Sequence, residues 1–155
     1  MTNRAAAALR TVALVGAALL ASGCAAFSPV QTDIDYQPAD GVKLSLDGLE
    51  LRNLAVVAAE KGGPGTVIGQ AVNSGTSAVD VTFGVEGASA TATAAVPAHS
   101  GDTLSDSTSS VTIDGMPAGP GEVVQLQVTT AEAGQNIVTV PVLAASGYYE
   151  GLATG

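Results

Sequence analysis

The stretch VIGQAVNSGTSAVDVTFGV, residues 67–85, decides the fold. Its second half sets Val79, Val81, Phe83 and Val85 facing one way and intersperses Asp80, Thr82 and Glu86. That period of two buries one face of a β-strand and wets the other. Residues 66–73 form a second strand, and Asn73-Ser74-Gly75-Thr76 between the two is turn chemistry: asparagine bonds nearby backbone, and glycine accepts positive φ. The pair reads as a hairpin.

The same period runs outward in both directions. Upstream, Val42, Leu44 and Leu46 alternate with Lys43 and Ser45. Asp47-Gly48 is a hairpin signal, after which Leu49 and Leu51 alternate with Glu50 and Arg52. Residues 53–60 continue as strand until Gly62-Gly63-Pro64-Gly65 breaks it, so this opening is a hairpin or one strand with a bulge. Downstream, residues 88–96 are a strand of small side chains, 97–102 a turn, 103–113 a further strand and 114–121 a glycine- and proline-rich loop. Residues 122–129 present Val124, Leu126 and Val128 on one face, and residues 136–142 present Val138, Val140 and Val142. Seven or eight short strands at intervals of about ten residues are the signature of an all-β, immunoglobulin-like two-sheet sandwich, here placed at residues 42–143. No helical stripe follows Leu20. Residues 144–155 read as a flexible C-terminal tail whose large groups are Tyr148 and Tyr149.

Residues 1–23 have a different character. Arg4 and Arg10 precede an apolar run over residues 11–20, and small residues then lead to Gly23-Cys24, the three-part layout of a signal peptide. The run is about half the roughly 20 residues that a membrane-spanning helix needs. LLASGC, residues 19–24, resembles the lipobox of bacterial lipoproteins, with Ala21 where leucine is commonest. The resemblance implies cleavage between Gly23 and Cys24 and a lipid on Cys24. Cys24 is the sole cysteine, so no internal disulfide forms. Residues 24–41, with Pro29, Pro38, Asp33, Asp35 and Asp40, read as a lipid-anchored flexible spacer.

The full chain carries a net charge of −9. After cleavage three basic residues, Lys43, Arg52 and Lys61, stand against 14 acidic ones, a net charge of −11. Such a surface repels the phosphates of nucleic acids and anionic lipids, which disfavours both as partners. The expected location is the outer face of the cell membrane.

The residue 67–85 hairpin resembles the core hairpin of immunoglobulin-like domains in bacterial surface proteins. Together with the lipobox, the acidic spacer, PAGPGE at 117–122 and IVTVPVL at 137–143, it looks like the small actinobacterial lipoproteins of the mycobacterial Lpq type. Periplasmic copper chaperones are a neighbouring family with a similar sandwich, and they hold Cu(I) on methionines and a histidine. Here the exported part keeps one histidine, His99, and one methionine, Met116. Soft Cu(I) wants several such ligands, and two do not build an intramolecular site.

Motifs for other chemistry are sparse. His99, Ser100 and Asp102 bring triad residue types together, but a triad needs the imidazole set between serine and carboxylate from separate elements. The pairs Asp33/Asp35 and Asp102/Asp106 lack the further oxygens that calcium requires. The glycine strings at 62–65 and 119–121 lack the Lys-Ser or Lys-Thr of a phosphate loop. Tyr148 and Tyr149 combine apolar area with a polar tip and are the candidate partner contact. The sequence therefore predicts a non-enzymatic, membrane-anchored surface lipoprotein without a cofactor, a binding or structural module for an unidentified envelope partner. The alternative is a carrier of a metal or small ligand in the envelope, using His99 and Met116.

Overall fold

The structure is a computed structural model that describes residues 40–88, 90–105 and 110–152, all within one compact unit, Gln37–Gly155. The expected signal peptide, Cys24, the spacer as far as residue 39, Asp106 and residues 153–155 lie outside the described residues.

Among the described residues nine strands form one mixed sheet, seven on a continuous path and two beside it, folded into an all-β sandwich that is nearly closed. β1 (Val42–Leu46) and β2 (Leu49–Ala58) form a hairpin about Asp47-Gly48, with Leu46 paired to Leu49 and Gly48 at φ 71°. That is the positive φ a two-residue hairpin loop demands, and the reason Asp-Gly sits there. β3 (Gly65–Asn73) pairs antiparallel with β2. β4 (Val79–Val85), β5 (Thr91–Val96) and β8 (Val123–Thr130) form the second layer. Short β6 (Ser100–Thr103) and β7 (Thr112–Ile113) complete the first layer beside β3.

β9 (Gly134–Ala144) joins the layers. It runs antiparallel to β8 as far as Pro141, then parallel to β2, with Val142 opposite Val56. Pro141, which has no N–H to donate, stands where the strand changes sheets. Phe83, Leu51, Leu54, Ile113, Met116 and Leu126 fill the space between the layers, each fully buried.

Two expectations change in detail. Composition makes residues 97–102 wholly turn, yet His99 at φ 51° closes the turn and strand resumes at Ser100. Of the strand expected at 103–113, residues 103 and 112–113 are strand among the described residues, and Leu104 and Val111 add single backbone bonds to β3. SGDT does not alternate apolar with polar, so the period of two has nothing to register there.

Candidate functional site

β2 is apolar on both faces beyond its midpoint, and the site follows from that. Leu49 and Leu51 face the core, the register with β3 slips between Arg52 and Ala55, and Asn53 takes φ 54°. The bulge shifts the alternation by one residue. Leu54, Val56 and Ala58 therefore resume the core face, while Ala55 and Val57 point outward beside Ile68 of β3.

A buried apolar outer face needs a cover, and the C-terminal segment supplies it. After β9 the chain makes a 3-10 turn, Gly147–Tyr149, and packs Tyr149 and Leu152 with Ala145 and Leu143 against Ala55, Val57 and Ile68. Thr66 Oγ1 donates to the Leu152 carbonyl, which pins the end of the segment to β3. Residues 144–152, expected as a free tail, thus run as strand to Ala144 and then as a packed turn.

The cover stops short, and the gap is a cleft of about 580 Å³. It is lined by Arg52 of β2, Ile68 and Gln70 of β3, Thr103 at the end of β6 with Ser105 just after it, and the two tyrosines. Asn53 Oδ1 accepts the Gly41 N–H at 2.8 Å, which fixes the incoming chain beside the bulge. The backbones come so close that a Cβ on Gly41 would lie 2.4 Å from the Asn53 carbonyl carbon. Burial chiefly, and then the nearby charge of Asp40, hold the pKa of the Tyr149 phenol above its ordinary value. Tyr148 meets Tyr149 edge to face, with ring centroids 5.4 Å apart, yet is 92% exposed.

Next to the cleft, Glu50 accepts Arg52 Nη2 at 2.9 Å and Lys43 Nζ at 2.7 Å. These partners, Arg52 first, hold its carboxyl down to about 2.

The other sequence candidates fall apart in space. His99 is exposed in the β5–β6 turn, its N–H on the Gly75 carbonyl at 3.2 Å. Met116 is fully buried, its N–H on the Gly63 carbonyl at 2.9 Å and its side chain against Gly65, where an added Cβ would lie 2.5 Å from Cγ. Gly75 and Gly63 flank opposite ends of β3, whose nine residues span roughly 25 Å. The pair does not share a site. Ser100 Oγ donates to the Pro97 carbonyl at 2.8 Å and lies 3.3 Å from Asp102 Oδ2, so the hydroxyl meets the carboxylate with no imidazole between them. Among the described residues no three His, Cys, Asp or Glu side chains group to hold a metal.

Sequence reasoning found the tyrosines but not Arg52, Gln70, Thr103 or Ser105. The signal for them was LAVVA at residues 54–58, a continuous apolar run that requires cover on both faces.

No family model matches the sequence, and no curated protein does either. The fold is similar to solved PCuAC domains. The copper-bound PCuAC domain from PmoF2 matches with a TM-score of 0.53 at 15% identity, covering 66% of this chain and 98% of that one. The apo PCuAC domain from PmoF1 matches with a TM-score of 0.55 at 13% identity, covering 66% and 99%. At this identity the likeness establishes the architecture, in agreement with the sandwich read from the strand period.

Proposed function

We propose that this chain is a non-enzymatic lipoprotein, anchored through Cys24 on the outer face of the membrane, which uses a PCuAC-like framework to offer the β2–β3 cleft to an envelope partner. The observation that carries the reading is the cleft, which sets apolar Ile68 and Leu152 beside polar Arg52, Gln70 and Ser105 in one recess, the makings of a recognition site. In support, the histidine and methionine that could act as soft ligands stand at opposite ends of β3, and the thioether is taken up by core packing.

A photo-crosslinking residue at Gln70, in native membranes, tests it. The expected outcome is a discrete adduct that a crosslinker at Thr139, on the outer face of the other sheet, does not give. The same products from both positions would sink the reading. Mass spectrometry of the mature N-terminus, with Cys24→Ala as control, tests the anchor separately; an unacylated Cys24 in the host removes it.

One of the fold neighbours is a copper-bound domain, and that likeness favours metal carriage as the second reading. Titration of the soluble protein with Cu(I), Zn²⁺ and Ca²⁺ separates the two. Stoichiometric Cu(I) binding that His99→Ala abolishes would favour carriage; no heat and no rise in melting temperature favour the partner module.

A further inference from the structure

The chain enters the described domain at Asp40-Gly41, where the Gly41 N–H donates to Asn53 Oδ1, and Asn53 lines the same cleft as Tyr148 and Tyr149. The point of attachment and the aromatic pair are therefore on one side of the molecule. Between Cys24 and Asp40 the sequence has 16 residue steps, which span at most about 55 Å when fully extended. A lipid on Cys24 confines the domain within that reach, at a local concentration of surface far above that of a free protein. The side bearing Asp40 is the one that the tether draws toward the bilayer.

Tyr148 is the group on that side without an evident role in the fold. It is 92% exposed, held edge-on by Tyr149 and raised on the 3-10 turn, while Tyr149 and Leu152 do the packing beneath. An exposed phenol ring gains by resting where water gives way to acyl chains, its body apolar and its tip wet, which is why tyrosine is enriched at membrane interfaces. The carboxylates of Asp40 and Glu150 beside it select against anionic lipid.

We infer that Tyr148 seats this face of the domain on a bilayer of neutral or zwitterionic headgroups, so that the cleft opens along the membrane surface. The inference rests on the lipid-anchor reading, but its test does not need the host's acylation.

The sequence contains no tryptophan and a single cysteine. Tyr148→Trp therefore creates a lone emitter, and Cys24 of residues 24–155, which include the whole described domain, can be coupled through maleimide to a phospholipid in phosphatidylcholine vesicles. Ile137→Trp supplies the comparison: Ile137 is 59% exposed on the outer face of β9, in the opposite layer. Circular dichroism confirms that both variants fold. The expected result is a blue shift and quenching by brominated phosphatidylcholine for Tyr148→Trp, with Ile137→Trp unshifted and unquenched. Equal quenching of both probes, or of neither, overturns the inference, and quenching found only with added phosphatidylglycerol overturns the neutral-headgroup assignment. An unacylated Cys24 in the host defeats the anchor reading while leaving this result standing.

Discussion

Asn73 shows how much one polar side chain can hold together. Buried at 2% exposure, it donates through Nδ2 to the carbonyls of Ser77, Val96 and Pro97 and accepts the Gly75 N–H at 2.9 Å. Those contacts tie the β3–β4 turn to the end of β5, across the two layers. Replacing it with alanine strands the buried Val96 carbonyl, a costly group to leave unpaired, and loses the bonds to Ser77, Pro97 and Gly75 as well. Asn73→Ala is expected to lower stability by about 3 kcal/mol by denaturant unfolding. The residue was legible as turn chemistry, but its part in bridging the layers was not, since residues 96 and 97 are distant in sequence. His99 illustrates the reverse case. Its chemistry draws the eye, while its structural task is to hold φ 51° in a tight turn.

At the scale of elements, strands with clean alternation were readable because one wet face and one dry face leave a periodic trace. β4 and β8 are such strands, and their partners in the second layer follow. β2 is harder, because the bulge at Asn53 breaks its period and its second half is dry on both sides. The candidate site was illegible for that reason: it is built where the pattern fails, by a bulge, by the non-alternating SGDT strand and by a turn that covers an outer face. The cover makes a prediction. Tyr149→Ala removes a half-buried ring from Ala55, Val57 and Ile68 and is expected to cost about 1–2 kcal/mol in thermal or chemical unfolding. Tyr149→Phe keeps the packing and loses only the phenol hydroxyl, so it should cost less, under about 1 kcal/mol.

For the molecule as a whole, two groups make stability depend on pH, one at each end of the scale. Glu50 titrates lower in the folded protein, at about 2, than in the unfolded chain. Its contribution is present above the ordinary glutamate pKa and is lost as pH falls from there toward 2. Tyr149 titrates higher when folded, so its contribution is present below the ordinary phenol value and is lost as pH rises from there through the raised folded value. Melting temperatures measured across pH should show Glu50→Gln with a shallower acid limb and Tyr149→Phe with a shallower alkaline one. Glu50 is surface-accessible, so added salt should reduce its share. The strand order β5-β4-β8-β9-β2-β3-β6 has one more consequence. The seam between the layers is made by β9, the last strand among the described residues, so until residues 134–144 are in place β8 and the second half of β2 each keep an open edge. Closing the seam depends on pairings distant in sequence, Val56 with Val142 among them, and is expected to be a late step of folding.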